Sequence, residues 1–200
     1  MGQLSFFSAE TEEPAYSDLA GLLAAHGQAV RSDSGTRVSI VVRDRWRAEQ
    51  IVEEMRASGL EAEVTASDEG TASDEGTPLA RTASCHELDA LHEAWSAGAV
   101  KAMPAGWIPS YRALRLWVIA SGHSDAGRYQ LGLDPHAPDT HAALATALMR
   151  VGIAPTLVGT RGHSPALRIA GHRRLVRLHE YVGPPPNAAA VPDWPPADIH

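Results

Sequence analysis

An α+β fold made of two αββαββ(α) units, related by a pseudo-two-fold within a single chain, is what this sequence predicts. Three observations carry that expectation. The order helix, strand hairpin, helix, strand hairpin, helix runs twice, over 17–98 and again over 110–182. The strands are short and joined by tight turns, which makes them antiparallel hairpins rather than parallel crossover units. The helices close on glycine, as at Gly27, Gly59, Gly122 and Gly152, where a left-handed or unhindered backbone ends a helix cheaply.

The elements of the first unit follow in order. Residues 1–16 read as a flexible tail, acidic at Glu10, Glu12 and Glu13 and broken by Pro14. From Ser17, Leu19, Leu22, Leu23 and His26 recur at helical spacing, Asp18 suits the positive helix start, and Gly27 is the stop. A short polar strand over 28–31 turns through Ser32-Asp33-Ser34-Gly35 into a strand over 37–42, whose Val38, Ile40 and Val42 share one face. A helix over 45–58 carries the apolar stripe Trp46, Ile51, Val52 and Met55, and a strand over 60–64 follows. The direct repeat ASDEGT-ASDEGT at 66–77 has no apolar residue larger than alanine and reads as a solvated hairpin loop leading to a strand over 78–82. Ser84 with Glu87 three residues on is a capping-box pattern, opening a helix over 84–97 with Leu88, Leu91 and Trp95 inward.

Residues 99–109, rich in proline and glycine, read as a linker. The second unit begins with Ser110 capping a helix through Leu114, Trp117, Val118 and Ser121. Residues 123–127 read as a turn into a strand over 128–133, so the first hairpin of this unit lacks an obvious outer strand. Asp139 then caps a helix through Leu144, Leu148 and Val151. A strand pair spans 154–158 and 166–169, and a last helix over 171–181 carries Leu175, Leu178 and Val182. The Pro/Ala-rich stretch 183–200 reads as disordered. Each hairpin pair would form a small antiparallel sheet, with the two leading helices packed at the axis.

Composition bounds the function. No run reaches the length of apolar chain that spans a bilayer, no secretory leader precedes the first helix, and the single cysteine, Cys85, excludes a disulfide framework. Lys101 is the only lysine beside sixteen arginines, the skew of a high-GC genome, and the expected setting is the bacterial cytoplasm. The net charge of −7 hides an asymmetry: residues 1–100 hold seven basic against eighteen acidic side chains, residues 101–200 ten against six. Any phosphate-binding face is therefore expected in the second half. Arg173, Arg174 and Arg177 are its densest cluster, and with Arg161 and Arg168 on the preceding hairpin they form either a DNA contact or a solvated helix face.

The opening helix, Leu19-Ala20-Gly21-Leu22-Leu23-Ala24-Ala25-His26-Gly27, resembles the signature of the LAGLIDADG homing endonucleases, and the order of elements after it matches that family over about 17–182. The counterpart in the second unit, Leu114-Arg115-Leu116-Trp117-Val118-Ile119-Ala120-Ser121-Gly122, is a weaker match. The resemblance implies two signature helices in close contact, each with an acidic residue before its final glycine to bind the divalent metal that cuts DNA. Here His26 and Ser121 stand at those positions. Neither is a carboxylate, so the resemblance implies the fold and argues against nuclease activity. A similar loss of catalytic acids occurs in the WhiA-type regulators, whose additional helix-turn-helix domain finds no room in these 200 residues. The family lays its sheet strands along the DNA major groove, which makes Arg128, Arg161 and Arg168 candidate DNA contacts, with Arg173, Arg174 and Arg177 beside them.

Gln3-Leu4-Ser5-Phe6-Phe7 resembles the bacterial sliding-clamp binding peptide. Leu4 and the Phe6-Phe7 pair suit an apolar pocket, and the Gln3 amide suits directional hydrogen bonds. Both phenylalanines of the protein lie here, and the competing expectation is that the tail folds back as an edge strand or covers a core groove. The ten histidines show no HExxH pattern and no i, i+4 pair, so no metal site is expected, nor a catalytic set, a cofactor, a membrane contact or a small-molecule substrate. The leading expectation is a non-catalytic accessory protein of DNA replication or repair that binds the sliding clamp. The alternative is a WhiA-like DNA-binding regulator acting without it, and a diverged hydrolase has no assembled catalytic residues behind it.

Overall fold

The computed structural model describes residues 12–67, 76–160, 162 and 164–197. A 3-10 turn at Tyr16–Leu19 leads into helix α1 (Ala20–Ala24). The rest of the first unit is β1 (Gln28–Ser32), β2 (Gly35–Val41), α2 (Arg45–Ala57), β3 (Ala62–Ser67), β4 (Thr77–Thr82) and α3 (Asp89–Ala94). A small hairpin, β5 (Ser96–Ala97) and β6 (Val100–Lys101), joins it to the second unit. There follow α4 (Tyr111–Ser121), β7 (Gly122–Asp125), β8 (Arg128–Gly132), α5 (His141–Arg150), β9 (Thr156–Val158), β10 (Ala166–Ile169) and α6 (His172–Val182).

The duplication is visible in the sheets. One has the order β1-β2-β4-β3 and the other β7-β8-β10-β9, antiparallel throughout. Register fixes the equivalence residue by residue. Ser39 of β2 faces Gln28 on one side and Arg81 on the other, while Gln130 of β8 faces His123 and Arg168. Gln28 therefore corresponds to His123, Gly27 to Gly122 and His26 to Ser121.

One face of each sheet is buried, through Val38, Ile40 and Ala80 in the first and Tyr129, Leu131, Leu167 and Ile169 in the second. Both close on a helix layer that contributes Leu22, Leu23, Ile51, Met55, Leu114, Trp117, Leu144, Leu148, Leu175 and Leu178 to one continuous core. Alternation does this: Thr36, Val38 and Ile40 of β2 point inward and are buried, while Arg37, Ser39 and Val41 point to the other face. Helices α1 and α4 meet at the centre. A Cβ added at Gly21 would lie 1.9 Å from the Ala113 carbonyl oxygen, so the helices approach this closely only because position 21 is glycine. Ser110 caps α4 as expected, its Oγ accepting from the Ala113 N–H at 3.0 Å and donating to Asp18 at 2.8 Å, which ties the starts of the two helices together.

Four expectations are corrected. The outer strand missing from the second unit exists as β7. It is a polar edge strand, Gly-His-Ser-Asp, so it carries no apolar alternation to betray it. The helix expected over 84–97 is a 3-10 turn at His86–Leu88 plus the short α3. Cys85 pairs with Thr36 through two backbone hydrogen bonds of 2.9 and 3.0 Å, which holds the chain extended past Ser84 and leaves the capping box unused. The linker 99–109 is an ordered crossing, with Trp107 edge-on to the buried Trp95 at 5.0 Å. Of the stretch 183–200 expected to be disordered, the described residues 183–197 pack back on the core, with a 3-10 turn at Ala188–Asp193. Trp194 is 5% exposed and donates its indole N–H to the Gly183 carbonyl at 2.8 Å. One tryptophan supplies enough apolar area to anchor a segment that composition marks as tail. The acidic repeat lies largely outside the described residues, and the strands flanking it pair Ser67 with Thr77 as its hairpin reading requires.

Candidate nucleic-acid interface

The outer face of each sheet is set by the same alternation that builds the core. On the first sheet it presents Gln28, Arg37, Ser39, Val41, Glu63, Leu79 and Arg81, and on the second His123, Asp125, Arg128, Gln130, Thr156 and Arg168. Arg37 faces Val30 across the β1–β2 pair as Arg128 faces Asp125 across β7–β8, and Arg81 matches Arg168. Four arginines thus occupy two pairs of equivalent places. They differ in cover: Arg81 is held by Glu63 at 2.7 Å, whereas Arg168 has Thr156 opposite it at that register. Two clefts of about 590 and 460 Å³ run along these faces and share His26 and Pro135 in their walls, so the two outer faces adjoin on one side of the molecule.

At the seam between them the C-terminal ends of α1 and α4 converge. Their last carbonyls have no helical partner and carry the negative end of the helix dipole. At the first end the Lys101 ammonium donates to the Ala25 and Gly27 carbonyls, both at 2.9 Å, and to Asp134 Oδ2 at 3.0 Å. Asp134, arriving from the second unit, also accepts from the Gln28 amide and the His136 N–H. At the second end the buried Arg47 guanidinium donates to the Ile119 and Gly122 carbonyls at 2.7 and 2.9 Å, and to Asp193 and Asp44 at 2.8 and 3.0 Å. Arg43, largely exposed on the wall of the larger cleft, joins Asp44 and Asp193 as well.

The titrations follow from these contacts. Burial pushes the Asp134 carboxyl up, but the Lys101 charge and the hydrogen bonds from His136, Lys101 and Gln28 outweigh it and hold the group below its ordinary value. For Lys101 burial favours the neutral amine and moves it down, with Asp134 opposing. His26 is lowered by burial, against its 2.7 Å hydrogen bond to the Val41 carbonyl, and the Lys101 charge adds to the lowering. Burial acts upward on Asp44 too, yet Arg47 and Arg43 bring it below the usual carboxylate range.

Of the residues expected at a site, Arg128 and Arg168 share the outer face of the second sheet. Arg173, Arg174 and Arg177 lie on α6, which buries Leu175, Leu178 and Val182 and packs on α4, and so they belong to the helix layer rather than to that face. Arg177 stacks on Tyr181 at 4.7 Å and approaches Glu180, and Arg174 donates to the Ala170 carbonyl. Gln3, Leu4, Ser5, Phe6 and Phe7, with Arg161, lie outside the described residues. Charge density does not single out Arg37 and Arg81, because they sit in the acidic half. Their equivalence to Arg128 and Arg168 appears only when the strands are aligned by register.

A divalent metal, the group that the resemblance of the opening helix implies, does not fit the residues present. His26 and Ser121 stand one residue before the equivalent glycines. The His26 Nε2 is engaged with the Val41 carbonyl, and the Ser121 hydroxyl donates to the Gly132 carbonyl at 3.1 Å. The carbonyls of Ala25, Gly27, Ile119 and Gly122 at the two ends accept instead from Lys101 and Arg47. Among the described residues no group of three or more His, Cys, Asp or Glu side chains converges as a metal site.

The fold is that of the LAGLIDADG homing endonucleases, in its duplicated single-chain form. The homing endonuclease I-WcaI bound to its DNA recognition sequence superposes with a TM-score of 0.61 at 12% identity, over 91% of this chain and 89% of that one. The N-terminal LAGLIDADG domain of DUF199/WhiA gives 0.55 at 14% identity, over 94% and 89%, and mesophilic variants of I-DmoI give 0.51 at 13% identity, over 84% and 94%. No family model matches the sequence, and no curated protein matches it. Among the described residues no helix is long and apolar enough to cross a membrane.

Proposed function

We propose that the chain binds double-stranded DNA across the adjoining outer faces of its two sheets without cutting it. In this reading it is an accessory protein of DNA replication or repair, tethered to the bacterial sliding clamp through Gln3, Leu4, Ser5, Phe6 and Phe7. The observation that carries the DNA reading is the register-matched quartet Arg37, Arg81, Arg128 and Arg168 on one side of the molecule. Cations placed in equivalent pairs suit the two strands of a duplex, and neutralised phosphates would supply most of the affinity. The endonuclease I-WcaI, of the same fold, is bound to DNA in its own structure, which supports the reading. The missing carboxylates at positions 26 and 121, and the chain's own cations at both helix ends, support binding without cleavage. Arg173, Arg174 and Arg177 on α6 are secondary contacts in this scheme, to phosphates beyond the main face, and Arg161 is a further candidate contact.

The test is anisotropy of a labelled duplex across a salt series. Arg128→Glu with Arg168→Glu is expected to abolish most binding and flatten the salt dependence, and Arg173→Glu or Arg177→Glu to change little. Retention of full affinity in the double variant would sink the sheet-face reading. Calorimetry against the host's sliding clamp, with Leu4, Phe6 and Phe7 changed to alanine as control, tests the tether. A WhiA-like regulator acting without the clamp is the second reading, favoured by the likeness to the WhiA domain over 94% of this chain. Duplex binding with no clamp binding would select it.

A further inference from the structure

Three oxygens converge on one point at the end of α1. The Ala25 carbonyl, the Gly27 carbonyl and Asp134 Oδ2 all lie 2.9–3.0 Å from the Lys101 nitrogen. The side chains of Lys101 and Asp134 are 10% and 3% exposed, so the cluster is shielded from solvent. Two neutral carbonyls and a carboxylate, turned inward at near-equal distances, satisfy all three donors of the ammonium, and the same oxygens make a donor set of the kind that holds hard cations. The cation is delivered by a hairpin only two residues per strand, anchored where the Ala102 N–H meets the Trp95 carbonyl at 2.9 Å.

The other helix end makes the requirement general. Gly122 corresponds to Gly27, and its carbonyl also meets a buried cation, yet that cation is Arg47 of α2, from an unrelated place in the chain. The positions that close the two inner strands even carry opposite charges. Counting from Ser39 and Gln130, Arg43 corresponds to Asp134, and each takes its counter-ion from a different segment, Asp193 or Lys101. Two unrelated side chains bring positive charge to equivalent carbonyls. Charge at the helix end is therefore what the junction needs, and the residue that brings it is interchangeable.

We propose that the Ala25–Gly27–Asp134 cluster is a cation-binding site whose occupant is the tethered ammonium of Lys101, and that the site accepts a free inorganic cation once that ammonium is removed. Oxygens standing this far from the centre suit a large ion. They are too distant for magnesium, which needs about 2.0–2.1 Å, and wide even for calcium at about 2.3–2.6 Å. Potassium and ammonium ions are thus the preferred guests, calcium a weaker one and magnesium the poorest. The unaltered protein carries its own cation and is indifferent to all four.

The experiment is thermal unfolding of full-length Lys101→Met, which keeps the stem and removes the charge. It is run in choline, potassium, ammonium, calcium and magnesium chlorides at equal ionic strength. In choline the midpoint is expected to fall by roughly 5–10 °C, and potassium or ammonium should restore at least half of the loss while the unaltered protein does not respond. Adding Asp134→Asn should erase the response by removing the one anionic donor. A Lys101→Met midpoint independent of the cation overturns the proposal. So does a variant that stays unfolded in every salt, because a refilled site would restore the fold.

Discussion

The two helix ends at the seam face the same difficulty with different means. At Gly27 a single ammonium spans two carbonyls and one carboxylate, while at Gly122 a guanidinium reaches two carbonyls and two carboxylates through three nitrogens. The second end also depends on the segment after α6, since Asp193 and Trp194 arrive from there and the buried Tyr129 hydroxyl donates to the Asp193 carbonyl at 2.8 Å. Duplication supplied the backbone frame twice, and each copy then found its own route to neutralising the helix dipole. In a duplicated fold the place of a charge outlasts the residue that provides it.

Breaking the richer end should cost most. Arg47→Met leaves Asp44 and Asp193 with only the exposed Arg43 between them and strands two buried carbonyls, so a loss of about 3–5 kcal/mol in urea unfolding is expected. A loss no larger than that of an exposed pair such as Arg45–Glu49 would show that the end is solvated in solution. Next comes the contact between the helices. Gly21→Ala puts a methyl group into the Ala113 carbonyl and should destabilise by about 1–3 kcal/mol, despite alanine's better helix propensity. A stabilised variant would mean that α1 and α4 sit farther apart than described.

The two sheets sharpen the comparison on the side of function. Arg168 has no acidic partner across its pair whereas Arg81 has Glu63, so Arg168→Ala should cost more duplex affinity than Arg81→Ala and lower the salt slope by about one. Glu63→Ala should tighten binding, since it frees Arg81. Equal effects of the two arginine variants would mean that the first sheet contributes as much as the second, against the charge asymmetry of the chain.

How much of this was legible in the sequence depends on what each feature rests on. The paired helices, the glycine stops, β2, β8 and β10 follow from apolar periodicity and local backbone preference, which a sequence carries openly. The edge strand β7, the hairpin bearing Lys101 and the packed segment around Trp194 rest on tertiary partners. His-Ser-Asp is a strand only because β8 lies beside it, and Trp194 is an anchor only because α4 and α6 leave it a place. Arg128 and Arg168 could be named from the resemblance. Arg37 and Arg81 could not be named from charge density, since seven basic residues in an acidic half attract no notice until strand register sets them opposite their counterparts. Lys101 reads in the sequence as a compositional oddity for the same reason: its partners lie 76, 74 and 33 residues away.

The smallest expected effect is the one that tells the two ends apart most cleanly. Both hold a carboxylate below its ordinary value of 3.8, Asp134 at one and Asp44 at the other, so both contribute stability that is present above that pH and lost as pH falls through the lower folded value. Of the two equivalent positions before the glycines only one is a histidine, His26, because Ser121 stands at the other. With its folded value below the ordinary 6.5, the unfolded chain binds the proton first, so stability should decline as pH drops below 6.5 and level off once the folded form is protonated as well. His26→Gln, which keeps a donor for the Val41 carbonyl, should flatten that stretch of a stability–pH curve and leave the acid limb below 3.8 in place. If the slope below 6.5 survives the substitution, it belongs to another histidine, and the two helix ends are then equivalent in their response to acid.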